Sequence, residues 1–183
     1  METDVTPPTT PENQVLSGRI TRLDRGWSTV LLDTSESIRV RNIGVEVAVG
    51  DMVSVSSDFE RIDIVHPRRS ALTRRNSFEG ARGMRQIVAS NIDTVFLVHS
   101  VNSPPNQRRL ERELVLAFDS GATPVLVLTK TDTISPEAAE AARAVFAEIT
   151  FDVDIALVSS VTGEGLEKIR AYARPHTTVV FIG

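Results

Sequence analysis

Two kinds of hydrophobic pattern meet in this chain, and the change from one to the other constrains its fold more than any other feature. Between residues 15 and 66, short apolar runs (SGRITRL, WSTVLL, SIRVRNI, MVSVSS and RIDIVHP) are rich in β-branched residues and partly alternate. DRG, DTSE, VAVGD and SDFE separate them and supply turn chemistry. Five short strands at roughly 8–12-residue spacing predict a small barrel of the five-stranded OB type, because a sandwich usually needs about seven strands. Beyond Ile87 the pattern becomes helical and strand-like in turn. DTVFLVHS (93–100), PVLVLTK (124–130), VDIALVS (153–159) and TTVVFI (177–182) read as strands buried on both faces.

Three helices are expected between those strands. In RRLERELVLAFDSG, Leu110, Leu114, Val115 and Phe118 form the apolar face and Gly121 the C-cap. SPEAAEAARAVFAEI starts with Ser135 as N-cap, Pro136 at the first helical position and Glu137 near the positive end of the dipole. GEGLEKIRAYAR is the third. Strand and helix in alternation predict βαβ units and a parallel sheet covered on both faces. The expected organisation is a mobile tail over 1–14, a barrel over 15–66, a basic linker over 67–90 and an α/β part over 91–183.

Composition narrows the chemistry. The 183 residues include no cysteine, which excludes disulfides, thiol catalysis and cysteine-ligated metal sites. His66, His99 and His176 are scattered without metal-binding spacing, and structural roles are expected for them. No apolar run approaches the ~20 residues of a membrane span, and the start METDVTPPTTPENQ is acidic and polar, so a cytoplasmic monomer is expected. The net charge of -4 is unevenly spread: Arg68, Arg69, Arg74, Arg75, Arg82 and Arg85 against Glu79 leave +5 between residues 68 and 85. Such a patch suits a phosphate backbone, and a solvated arginine-rich linker is its ordinary alternative. Of 20 basic residues only Lys130 and Lys168 are lysine.

Ligands of open α/β sheets bind beyond the carboxyl ends of the strands. LTKTD sets Thr129, Lys130 and Asp132 on such an end. One carboxylate accepts both N1–H and N2–H2 of guanine, whereas adenine presents a lone pair at N1, a mismatch worth on the order of 10⁴ in a desolvated site. The stem of Lys130 can lie along the base with its ammonium in water. By itself the motif is also an ordinary loop with an exposed lysine. VSSVTGEGL follows on the next strand, where backbone N–H groups of Ser159, Ser160 and Val161 can meet a ring oxygen such as guanine O6. Alone it is a Gly-bearing turn; two such ends on successive strands of one sheet edge point together to base recognition. Gly183, after TVVFI, stands where the first glycine of a phosphate loop would stand.

LTKTD followed by VSSVTGEGL resembles the fourth and fifth guanine-recognition motifs of GTPases, placed before the phosphate loop as in circularly permuted members. With VGDMVSV in the barrel, HPRRSALTRR, IVASNIDTVFLVHSVN and RRLERELVLA, the chain over about 15–183 resembles the ribosome small-subunit-dependent GTPase A family. The resemblance implies a partial P-loop GTPase-like sheet in permuted order behind an OB-type barrel. It implies GTP or GDP as ligand at Thr129, Lys130, Asp132, Ser159, Ser160, Val161 and Gly183, with Thr129 where many GTPases carry Asn. It also implies GTP hydrolysis in late maturation of the small (30S) ribosomal subunit, with rRNA on the barrel and on the six arginines of 68–85. The family's phosphate loop, its switch motifs for Mg²⁺ and its zinc domain do not occur in these residues. Mg²⁺ and Zn²⁺ are therefore expected only in the full-length protein, and no catalytic residue and no hydrolysis are expected of this stretch alone. The alternative is a non-catalytic, ribosome-associated RNA-binding module derived from that family.

Overall fold

The computed structural model describes residues 16–75 and 85–183. The expected tail over 1–14, and Arg82, lie outside the described residues. The chain divides after Pro67 into two compact units.

The first unit contains β1 (Leu16–Asp24), β2 (Trp27–Leu32), β3 (Ser37–Arg41), β4 (Met52–Val55) and β5 (Ile62–Val65). They form one antiparallel sheet in the order β3-β2-β1-β4-β5. A parallel bridge between Arg41 and Arg61 joins its two edges at one point, so the sheet curls into a barrel-like unit. Alternate residues point inward: Ile20, Val30, Leu32, Val40, Val53, Val55 and Ile62 are buried together. A register shift between Ile20 and Arg22 bulges β1, which adds the local twist that a small closed sheet needs.

The second unit begins with β6 (Ala71–Arg75) and β7 (Arg85–Ser90), an antiparallel pair registered from Ala71–Ser90 to Arg75–Arg85. The stretch expected as a linker over 67–90 thus carries a strand pair at its two ends. Leu72 anchors it, 4% exposed within the core of the α/β sheet. ALTRR holds too few apolar residues for a strand to be read locally, and the partner that pairs with it lies ten or more residues away.

The sheet itself consists of β8 (Thr94–Ser100), β9 (Thr123–Thr129), β10 (Asp154–Leu157) and β11 (Val179–Ile182), all parallel, in the order β10-β9-β8-β11. The period of two sends Val95, Leu97, Leu126 and Leu128 to one face, against α1 (Gln107–Ser120) and α2 (Pro136–Thr150). Phe96, Val125, Val127, Ala156 and Val158 go to the other, against α3 (Leu166–Tyr172). Helices on both faces explain why these strands read as unbroken apolar runs.

Helix ends match their capping chemistry. Asn106 accepts from Arg109 N, Ser135 accepts from Ala138 N with Pro136 at the start, and Gly121 closes α1 at φ 83°. The expected apolar face of α1 needs correction. Leu110, Leu114 and Ala117 form the buried stripe, while Val115 and Phe118 are each 58% exposed. The i, i+4, i+7 row runs through a small alanine, and counting only large apolar residues tilts the stripe away from it. Val115 instead lines an open groove of about 1270 Å³ with Arg68, Arg69, Arg74 and Arg112.

Candidate functional site

The carboxyl ends of β9 and β10 are neighbours, because the two strands pair in register from Val125–Asp154 to Leu128–Leu157. After β9 the chain turns sharply. Lys130 takes the left-handed conformation at φ 66° and a single 3₁₀ turn, Thr131–Thr133, follows. A non-glycine residue there costs free energy, and such positions gather at functional sites. Three hydroxyl contacts hold the turn. Thr129 Oγ1 donates to the His99 carbonyl at 3.1 Å, and Thr133 Oγ1 lies 2.6 Å from the Lys130 carbonyl and 2.7 Å from Asn102 Oδ1.

The second loop is tied to the first through Ser159, which is fully buried. Its Oγ donates to Asp132 Oδ1 at 2.6 Å and accepts from Val161 N at 3.2 Å and Thr162 N at 3.1 Å. The Thr131 amide also reaches the Val158 carbonyl at 3.3 Å. Gly165, at φ 75°, precedes α3 with its Cα against the Leu157 carbonyl, where a Cβ would collide with the oxygen.

An inventory of backbone donors sorts the expected base-loop residues. The Ser159 amide donates to the Glu164 carbonyl at 2.9 Å, and that of Val161 is taken by Ser159 Oγ. Ser160 is exposed, and its N–H has no acceptor among the described residues. Asp132 is exposed too, with Oδ1 fixed by Ser159 and Oδ2 free of hydrogen bonds among the described residues. Lys130 is exposed beside it. The arrangement offers an oriented carboxylate, one open amide and an aliphatic stem with a cationic end. It fits a flat polar ring that carries adjacent N–H donors and a carbonyl oxygen.

Gly183 follows β11 at the same edge, two strands from β9 with β8 between. A Cβ on it would come 2.5 Å from the Val98 carbonyl oxygen, so the strand end packs tightly against β8. The basic set is more dispersed. Arg68 and Arg69 precede β6, and Arg69 pairs with Asp93 at 3.2 Å. Arg74 is exposed along β6, and Arg75 and Arg85 are register partners at the other end of the pair. Sequence reasoning missed Asn102 and Thr133, which brace the lysine turn. Their signal was their position just after β8 and within the β9 loop.

Two of the histidines have structural partners. His66 Nε2 meets Ser54 Oγ at 2.9 Å, and His99 Nε2 meets Glu113 Oε2 at 2.7 Å, with Arg109 on the other carboxylate oxygen at 2.8 Å. Among the described residues no group of three or more His, Asp or Glu could hold a metal ion. Among the same residues no helix is long and apolar enough to cross a membrane.

Comparison with known proteins gives one consistent result. The family model described as RsgA GTPase matches residues 65–183. The small ribosomal subunit biogenesis GTPase RsgA 2 of Lactiplantibacillus plantarum is 37% identical, over 95% of this chain and 51% of its own length. The small ribosomal subunit biogenesis GTPase RsgA of Syntrophotalea carbinolica is also 37% identical, over 74% of this chain and 39% of its own. The chain thus spans about half or less of the length of these curated relatives. YjeQ from Thermotoga maritima shares the fold at a TM-score of 0.71 and 23% identity, over 92% of this chain and 60% of that one. YloQ, a circularly permuted GTPase, does so at 0.68 and 24%, over 96% and 62%.

Proposed function

The chain belongs to the RsgA GTPase family, and on that premise we propose that it supplies the guanine-recognition part of a GTPase acting in small ribosomal subunit biogenesis. Asp132 accepts the paired N–H donors of guanine, the Ser160 amide meets O6, and the stem of Lys130 lies along the ring. Ser159 and Val161 shape the loop from within, and Thr129 fixes the turn. Gly183 leads toward the phosphates. The barrel, of OB type, contacts rRNA together with the arginines of 68–85.

One observation carries the base-recognition reading: the 2.6 Å bond from Ser159 to Asp132, which holds the two strand-end loops as one surface. The groups that bind β- and γ-phosphates and Mg²⁺ in P-loop NTPases are not among these 183 residues. We therefore assign to this stretch weak nucleotide binding without turnover.

Calorimetric titration of the 183-residue chain with GDP and ADP tests the assignment. Weak GDP binding with no detectable ADP binding, lost in Asp132→Ala, is expected; the full preference of such a site reaches the order of 10⁴. Equal binding of the two nucleotides overturns it, as does GTP turnover that disappears in Asp132→Ala. Co-sedimentation with small ribosomal subunits tests the partner.

A further inference from the structure

The barrel carries the chain's single tryptophan. Trp27 opens β2, and its row (Trp27, Thr29, Leu31) faces away from the barrel core, because Ser28, Val30 and Leu32 alternate inward and are buried. The register with β3 sets Arg41 opposite Trp27 and Arg39 opposite Thr29. Both guanidiniums lie over the indole, at 5.0 Å for Arg39 and 5.2 Å for Arg41 from the ring centroid. On the other side of β2, Arg22 stands opposite Thr29, paired with Asp24 at 3.2 Å. Arg25 is exposed in the turn that leads into Trp27.

Cation–π attraction, about 0.5–1 kcal/mol for each exposed contact, holds the two guanidiniums over the ring. Arg39 and Arg41 are exposed and have no carboxylate partner among the described residues, so two cations two residues apart share one face of β3 and repel weakly across it. The chain as a whole is acidic, with a net charge of -4. A polyanion relieves the repulsion, and a half-buried indole under two exposed guanidiniums adds something that phosphate contacts alone do not need: a flat partner.

We propose that Trp27, Arg39 and Arg41 form a stacking platform for an unpaired base of single-stranded RNA, with Arg22 and Arg25 on the flanking phosphates. The proposal deepens the reading that the barrel meets RNA and rests on it. Duplex RNA satisfies the arginines but keeps its bases stacked on one another, so the platform selects loops, bulges and ends. An acidic peptide satisfies the charge but offers no ring to stack.

The sole tryptophan makes the contact directly readable. The 183-residue chain is titrated with a fluorescein-labelled single-stranded 12-mer RNA and with a 12-base-pair duplex, following anisotropy and, with unlabelled strands, Trp27 emission. Saturable quenching by the single strand and little by the duplex is expected. Trp27→Ala weakens single-strand binding roughly 5- to 150-fold, the range for one stacked base. The pair Arg22→Gln and Arg25→Gln lowers the log–log salt slope by about 0.7 for each phosphate that is no longer neutralised. Trp27→Phe retains an aromatic plane and restores most of the affinity, which separates stacking from a damaged barrel. Single-strand binding that leaves Trp27 emission unchanged, and that Arg69→Gln and Arg74→Gln abolish instead, overturns the platform while the RNA reading stands. Equal quenching by poly-glutamate also overturns it. No binding of either RNA overturns both.

Discussion

Ser159 Oγ lies 2.6 Å from Asp132 Oδ1, across 27 residues of chain and one intervening helix, and the same oxygen accepts the amides of Val161 and Thr162. One buried hydroxyl thus orients a carboxylate on one strand end and the backbone of the next. Its donated proton fixes which carboxylate oxygen is occupied, leaving the other turned to solvent. This is how two loops with ordinary individual sequences become one oriented polar surface.

Ser159→Ala removes the acceptor of two amides and the donor to Asp132 at a fully buried position. The cost is about 1.5–3 kcal/mol, the range for a hydrogen bond to a charged group, because the part-buried bond to the Asp132 carboxylate is lost. Urea denaturation of the parent and variant measures it, and an unchanged midpoint contradicts the bridging role.

Asp132→Asn keeps the shape of the side chain but replaces acceptors with an acceptor and an NH₂ donor. GDP, whose N1–H and N2–H2 are donors, is then rejected. Xanthosine diphosphate, with a carbonyl at C2, is preferred over GDP. Competition of the two nucleotides on the variant decides the point, and retention of GDP preference would show that Asp132 does not read the base.

Gly165→Ala forces a Cβ into the Leu157 carbonyl at φ 75°. The left-handed conformation alone costs roughly 1–2 kcal/mol for an L side chain, and the overlap adds to it. The start of α3 must shift, carrying residues 159–164 with it. Thermal melting should show a loss above that range, accompanied by weaker nucleotide binding; a variant as stable as the parent would mean the turn relaxes freely.

The Glu137 carboxyl is held below the ordinary glutamate value, first by its own backbone N–H and then by the Ser135 hydroxyl at the start of α2. A depressed folded pKa means that the contribution is fully present above the unfolded value and lost as pH falls through the folded one. The stability difference between the parent and Glu137→Gln is therefore largest near neutrality and shrinks on acidification below about pH 4.3. Melting temperatures across that interval give the curve, and a difference independent of pH removes Glu137 from the cap.

Much of this protein is legible locally. The alternation in WSTVLL and the unbroken run in PVLVLT are stated in adjacent residues, as are the Ser135–Pro136 start and the Gly121 stop, because strand period and capping act within a few residues. The motifs LTKTD and VSSVTGEGL likewise stand in adjacent residues, each at the end of a strand. Tertiary structure decided what depends on partners far along the chain. It paired β6 with β7 through Leu72, chose Ala117 over Val115 for the core, and distributed the loop amides so that Ser160 alone of residues 159–161 has none of its neighbours as acceptor. It also set Arg39 and Arg41 over Trp27, which strand register brings together and local sequence spacing does not. Periodicity is a property of one segment, whereas register and burial are set by which segments meet, and that choice is made only when their apolar faces leave water together.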